Sequence, residues 1–302
     1  MVSGMKAVSK MPEPAVAALF DDYSLEMTGK DVEDLDGARG TIPPGTRINV
    51  TCLGSEDLEM RLAAARAVKG FGFTPVPHIS ARRLASRAML EEFLSALRAE
   101  GLADTVFVVG GDPTQPQGPY EDALTVLESG LLQQYGVRHV SVSGYPEGHP
   151  DIADPLLWSA IVRKSALLKD RQLPGGVITQ FAFDVDPVLT WIEAVRGRGV
   201  DLPIRIGVPG PAGVRRLMRY AARFGVGTSA GIVKKYGLSL TNLMGTAGPD
   251  HFLRALAAGY DPRRHGEVKL HFYTFGGLRA TAEWISDFRA PGELRLQEGG
   301  LT

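Results

Sequence analysis

Cysteine is nearly missing from this chain: Cys52 stands alone among 302 residues. A lone cysteine excludes an intramolecular disulfide and any cysteine-cluster metal site, and it suits a reducing compartment. An excess of charge of one sign is missing too. Lys plus Arg number 33 against 34 for Asp plus Glu, so no net field draws the chain to nucleic acid or to an anionic membrane. No apolar run approaches the roughly 20 residues that span a bilayer. The N-terminal stretch lacks a signal-peptide core, so residues 1–20 read as a loose arm or a short capping helix. These absences together predict a cytoplasmic protein. There is no internal repeat, low-complexity tract or linker long enough to divide domains. A Walker-type loop, a nucleophile-elbow serine and histidines paired at metal spacing are all absent, so no metal site is expected.

What is present is alternation. Short β-rich runs fall at Tyr23–Met27, Arg47–Cys52, Thr74–His78, Thr105–Val109, Val137–Ser143, Gly176–Phe181, Pro203–Val208 and Glu267–Tyr273. Several are continuous Val/Ile-rich stretches, as parallel strands buried on both faces require. Amphipathic helical patterns lie between them, at Leu58–Val68, Arg83–Ala99, Tyr120–Ser129, Pro187–Arg196 and Ala212–Phe224. Leu84, Met89, Leu90 and Leu94 show the apolar spacing of such a helix. A closing helix over Leu278–Phe288, and polar or glycine-rich residues after nearly every strand, favour a closed barrel over an open sheet. The expectation is an α/β protein, a single-domain (β/α)8 TIM barrel over 21–290. Extra helices are expected in 227–262, before the last strand, and a loose tail over 291–302.

In such a barrel the C-terminal strand ends share one mouth. Those ends carry Glu26, Thr51, His78, the run Gly110-Gly111-Asp112, then Tyr145, Glu147 and His149, then Thr179, Gln180 and Asp184, and finally His271, Tyr273 and Thr274. Glu26 interrupts an apolar strand, where a carboxylate is a cross-barrel ion pair or a general acid; composition alone weighs these equally. Glycines 110 and 111 let a flat ligand or a phosphate approach the backbone, and Asp112 either faces a developing cation or caps a tight turn. The loop GVPGPAG at 207–213 has the wrong spacing for a dinucleotide fingerprint. Lys234–Lys235 reads as a solvated loop before it reads as a site for an anionic tail.

Taken in order, Glu26, VTCLG at 50–54, PHIS at 77–80, GGDP at 110–113, GYPEGHP at 144–150, ITQFAFD at 178–184 and HFYT at 271–274 resemble the methylenetetrahydrofolate reductase family. The resemblance runs from about residue 23 to 287. It implies a barrel that holds FAD at its mouth, takes hydride from NADH or NADPH, and reduces methylenetetrahydrofolate to 5-methyltetrahydrofolate. By position it implies Glu26 as general acid and Asp112 as the anion that stabilises an iminium. It implies Thr51, His78, Gly110, Gly111, Asp112, Tyr145 and His149 around the flavin, with Gln180, Tyr273 and Arg279 on the substrate.

Departures from the family pattern stand out. Gly110 occupies the place of an expected arginine. The basic pair expected after GYPEGHP is out of register, leaving Arg163, Lys164 and Lys169 as displaced candidates for the flavin phosphates; Lys164 and Lys169 are assigned that role. Val214 stands where an aromatic is expected. The same residues admit folate reduction without tightly held flavin, and, in another class, a folate- or flavin-binding barrel without turnover. The trio Glu26, Asp112 and Gln180 argues for the enzyme, because a binder has no need of an acid poised beside an anion.

Overall fold

The structure is a computed structural model, which describes residues 14–226 and 246–289. Eight parallel strands close into a barrel: β1 (Ser24–Met27), β2 (Arg47–Val50), β3 (Thr74–Ser80), β4 (Thr105–Val109), β5 (His139–Gly144), β6 (Gly175–Phe181), β7 (Ile204–Pro209) and β10 (Val268–Tyr273). Each strand pairs with its sequence neighbour, and β1 pairs with β10, with Ser24 opposite His271, to seal the ring. The expected (β/α)8 barrel is the observed fold, and the observed strands lie within a few residues of the expected ones. A two-residue antiparallel pairing of β8 (Ala212–Gly213) with β9 (Thr246–Ala247) lies outside the ring. It takes the start of the expected helix at 212, so that helix runs Val214–Phe224.

Strand alternation divides the core into two. Val106, Val108, Val140, Val142 and Val177 point outward into the large helix–strand core. Residues of opposite parity, Val76, Phe107 and Ile178, form a separate small apolar cluster inside the ring. The barrel is therefore filled at mid-height. Its lower end is plugged by Asp22, which takes Arg47 and Arg205 as ion-pair partners, the latter at 2.6 Å. Burial pushes Asp22 up, but the two guanidiniums outweigh it and hold the carboxyl below the usual carboxylate range.

The helix Arg87–Ala99 shows how the outer layer is built. Ser86 caps it, its hydroxyl accepting from the Met89 amide at 3.1 Å. Leu90, Phe93, Leu94 and Leu97 then recur at helical spacing on the buried face, each worth about 1.5–3 kcal/mol when fully buried. The expected membership of this face changes at two places. Leu84 precedes the helix, after a 3-10 turn at Ala81–Arg83, and Met89 is 46% exposed. A short helix, Val32–Ala38, follows β1 where none was expected. Of the extra helices expected in 227–262, Asp250–Gly259 and Pro262–His265 are present; residues 227–245, with Lys234–Lys235, lie outside the described residues. The tail at 291–302 lies outside them too. Helix Pro14–Leu19 ends on buried Leu19, and the ring of buried Phe20 stacks on Phe272 at 6.0 Å. No described helix is long and apolar enough to cross a membrane.

Candidate active site at the barrel mouth

The strand ends do meet. Glu26, at 19% side-chain exposure, lies 3.7 Å from His271 Nε2, whose ring is fully buried. Thr274 Oγ1 donates to the Glu26 carbonyl at 2.8 Å, tying β1 to the strand that closes the ring. His271 also meets the Tyr273 ring edge to face at 4.9 Å. The Tyr273 hydroxyl donates to Thr179 O at 3.0 Å, crossing the mouth to β6. Burial, then the charges of Glu26 and Tyr145, push this phenol well above the usual tyrosine range.

His78 enters from β3. Asn49 Nδ2 lies 3.4 Å from Leu25 O, which orients the amide so that its Oδ1 faces His78 Nε2 at 3.3 Å. The His78 proton therefore sits on Nε2, a tautomer assigned from the hydrogen-bond pattern. Burial lowers this imidazole to about 4, against the opposing pull of Glu26. Arg61 braces the strand from outside, with Nη2 donating to His78 O at 2.5 Å and its guanidinium 4.1 Å from the Phe93 ring centroid.

Gln180 is aimed by an irregularity. The pairing of β6 with β7 slips between Ile178 and Phe181, and such a bulge redirects a side chain at a rim. A Cβ on the facing Gly207 would come within 2.5 Å of Thr179 O, so only glycine admits the close approach. Gln180 is half-buried, and its Oε1 accepts from the Phe181 amide at 3.1 Å.

After β4, Gly111 takes φ +96°, and a Cβ there would fall on the Ser80 hydroxyl. Asp112 does not stand free. Arg83, from the turn after β3, grips it with Nε at 2.9 Å and Nη2 at 2.6 and 2.8 Å.

The β5 rim holds Tyr145 and His149 edge to face at 5.3 Å. Burial raises the Tyr145 phenol and lowers His149, whose Nδ1 accepts from the Asp151 amide at 3.1 Å. Behind them lies a cavity of about 310 Å3, walled by Tyr145, Glu147, Asp154, Trp158, Lys164 and Trp191. Lys164 is 5% exposed and donates to Ser143 O at 3.3 Å; burial lowers its ammonium to about 8.

These residues fit one half of a flavin and not the other. Thr51 Oγ1 and Ser80 Oγ, at the ends of β2 and β3, are buried without hydrogen-bond partners. Two orphaned hydroxyls beside a bare glycine backbone suit the hydrogen-bonding edge of a flat heterocycle. Among the described residues, the cations expected at the pyrophosphate end are engaged elsewhere, and Arg82, whose charge reaches Tyr145 and His149, donates to Glu121 O and Pro113 O. Gly110 brings none, Arg83 is spent on Asp112, and Arg163 pairs with Glu128 at 3.5 Å. Lys164 faces a cavity that also carries Glu147 and Asp154. Lys169 is exposed in the last turn of the helix Asp154–Asp170. That helix runs back from the mouth, so its end lies at the opposite face of the barrel, about 1.5 Å per residue away. Lys169 thus does not join the assigned site. Neither does Arg279, whose guanidinium packs against Gly37 on the helix Val32–Ala38, in the outer layer.

The remaining assigned residues surround the mouth, namely Glu26, Thr51, His78, Gly110, Gly111, Asp112, Tyr145, His149, Gln180 and Tyr273, with Lys164 in the cavity behind the β5 rim. Sequence reasoning placed His271 at the mouth without a role and passed over Ser24, Asn49, Ser80 and Arg83. All but Arg83 sit on strands two residues from an assigned one, so strand parity was the available signal. Among the described residues no group of three His, Cys, Asp or Glu side chains is placed to hold a metal ion.

Fold and site together define a (β/α)8-barrel protein with an acid–imidazole cluster and polar side chains at its mouth. The chain belongs to the methylenetetrahydrofolate reductase family, whose model matches residues 41–242. Methylenetetrahydrofolate reductase 2 of Saccharomyces cerevisiae is 28% identical over 131 residues, 40% of this chain and 21% of that protein. Methylenetetrahydrofolate reductase (NADH) 1 of Arabidopsis thaliana is 26% identical over 145 residues, 44% and 24%. The 5,10-methylenetetrahydrofolate reductase of Pectobacterium carotovorum subsp. carotovorum is 26% identical over 153 residues, 50% and 48%. The chain thus spans between about a fifth and a half of the length of these relatives. An uncharacterised Clostridium thermocellum protein, described as binding two copies of 5-methyl-5,6,7,8-tetrahydrofolic acid, shares the fold. Its TM-score is 0.58 at 11% identity, over 91% of this chain and 97% of that one. Glu26 and His271 lie outside the family match, and closure of the ring brings them to it.

Proposed function

We propose that this chain reduces 5,10-methylenetetrahydrofolate to 5-methyltetrahydrofolate with hydride from NADH or NADPH, in the cytoplasm. The observation that carries the reading is Glu26, a carboxyl set beside the buried His271 at a mouth lined with unpaired polar groups. Reduction of the bridge needs a proton at N10. The N10–carbon bond then breaks with its electrons going to N10, and the remaining N5-methylene iminium takes hydride at carbon. Glu26 is the group placed to give that proton. Gln180 offers both an amide donor and an acceptor to folate or to a nicotinamide carboxamide. Asp112 is the anion for the iminium once Arg83 has turned away. His78, neutral and bonded to Asn49, adds polarity without competing as an acid.

A bound FAD would supply a relay for hydride between nicotinamide and folate. Thr51, Ser80, His78 and Gly111 would hold its ring. Among the described residues the cations expected for the phosphates are engaged elsewhere, and each charge-assisted contact forgone is worth about 1.5–3 kcal/mol. FAD is therefore a weakly held, exchangeable cofactor in this reading. The same observation favours a second reading, in which hydride passes directly from nicotinamide to folate.

The experiment is NAD(P)H oxidation dependent on methylenetetrahydrofolate, run on protein stripped by gel filtration, with and without added FAD. Restoration by FAD supports the first reading, and full turnover without FAD the second. No turnover in either arm sinks both and leaves a binding barrel. Glu26→Gln should lower folate reduction by about 100-fold or more, with NAD(P)H binding, read by fluorescence, unchanged.

A further inference from the structure

We infer that the arginines of the helix Val214–Phe224 form a track for a chain of carboxylates leaving the mouth, so that this protein favours folates whose tail carries several γ-linked glutamates. The inference rests on the folate reading above and adds to it a binding surface and a dependence on tail length.

The track follows from where the helix lies. In a regular barrel the helix after β7 runs back along the outer layer. Here that layer holds the helix Asp250–Gly259, whose Gly259 faces Leu189 on the helix Val185–Arg196. The helix Val214–Phe224 instead follows the rim. Just before it, the Gly210 amide donates to Tyr273 O at 2.8 Å. Tyr220 stacks on Phe275, in the turn after β10, at 4.1 Å. Phe224 meets Phe181, the last residue of β6, edge to face at 5.9 Å. At the helix end, a Cβ on Gly225 would come within 2.9 Å of Pro150, in the loop after β5. The helix therefore spans the rim from β7 to β5, passing the end of β6 where Gln180 stands.

Leu217 and Ala221 bury one side of this helix, and the other side carries Arg215, Arg216, Arg219 and Arg223, all exposed. Arg216 is anchored, its Nη1 donating to Phe275 O at 2.9 Å. Among the described residues no carboxylate pairs with Arg215, Arg219 or Arg223. Other exposed arginines do find such partners: Arg66 has Glu100, Arg87 has Glu91 and Arg264 has Glu193. The three unpaired ones recur every fourth residue, about 6 Å apart along one side of the helix. A γ-linked glutamate chain carries one α-carboxylate per residue and extends by about 6 Å per residue. The two repeats match. A diphosphate gathers its charge at one point, which a single guanidinium fork meets; a row of cations suits separated anions.

The test is isothermal titration calorimetry of the full chain with 5-methyltetrahydrofolate carrying one or five γ-linked glutamates. At low salt the longer form should bind about tenfold more tightly, since each exposed pair is worth up to about fivefold. That ratio should fall toward unity in Arg215→Gln/Arg219→Gln/Arg223→Gln, and in about 0.5 M KCl, which screens exposed charge. Arg138→Gln removes a charge that is 82% exposed at the other end of the strands, and should leave the ratio unchanged. Equal affinity of the wild type for both forms, or a ratio that the triple variant keeps, would overturn the inference. So would a triple variant that loses ADP-ribose binding and keeps the ratio, because the row would then serve the dinucleotide. Turnover with no dependence of affinity on tail length sinks this inference and spares the reductase reading. A dependence abolished in the triple variant, without turnover in any arm, refutes the reductase reading and leaves the track standing. Binding of neither form overturns both.

Discussion

Arg83 and Asp112, carried on the turns after β3 and β4, form a forked ion pair with contacts of 2.6–2.9 Å across the rim. The family pattern leads one to expect a cation beside this aspartate in the chain itself, at the position of Gly110. Here the cation arrives from the neighbouring turn. If Asp112 faces the substrate cation as proposed, this pair must open for the substrate to bind.

A first prediction concerns that pair. Asp112 is 60% exposed and Arg83 22%, so the pair contributes less than about 1 kcal/mol to stability. Arg83→Met should therefore leave urea denaturation nearly unchanged. It should hold or improve kcat/KM for the folate, because Asp112 no longer has to be released. Asp112→Asn should lower kcat by about tenfold or more, with KM little affected. Equal losses in both variants would show that the pair acts as a unit, not as an anion and its guard.

How much of this was legible in the sequence follows from what periodicity records. The Val/Ile runs announced the strands, and chain order announced a ring in which Glu26, His78, Gln180 and Tyr273 share a mouth. Side-chain reach was not legible. Lys169 and Lys164 are five residues apart, yet one ends at the far face while the other is swallowed beneath β5. Arg279 follows the HFYT strand closely, but the Gly277–Leu278 turn launches it onto the outer helix layer, where Gly37 makes room. The Arg83–Asp112 and His271–Glu26 pairs join residues 29 and 245 positions apart, counting 112 − 83 and 271 − 26. No spacing rule connects such positions.

Lys164 carries a stability prediction of definite sign. Its ammonium falls from 10.5 to about 8 because it is buried. Below about pH 8 both folded and unfolded chains carry the charge, and the folded state bears the full desolvation cost, on the order of 3 kcal/mol. Above 10.5 neither is charged and the cost is gone. Lys164→Met should therefore be more stable than the wild type at pH 7 by about 1–3 kcal/mol, and the advantage should shrink between pH 8 and 10.5. A variant less stable at pH 7 would mean that the ammonium has a compensating anion in the cavity.

The lower plug tests the opposite sign. Asp22 holds Arg205, which is only 14% exposed, and takes φ +58° to do so. Because its carboxyl is held below 3.8 in the folded chain, the stability it contributes is complete above that value and is lost as pH falls through the folded one. Asp22→Asn strips a buried guanidinium of its partner and should cost about 1–3 kcal/mol at neutral pH, read by urea denaturation. Asp22→Gly removes the same charge but relieves the left-handed backbone, so it should cost less than Asp22→Asn if strain matters and more if only the side chain does. Asp22→Asn should converge on the wild type in acid, where the carboxylate no longer exists. The mouth lies at the other end of the strands, so folate kinetics should be unchanged in the folded fraction of either variant. A change in KM would mean that the plug sets the register of the ring from below, and through it the spacing of Glu26 and His271.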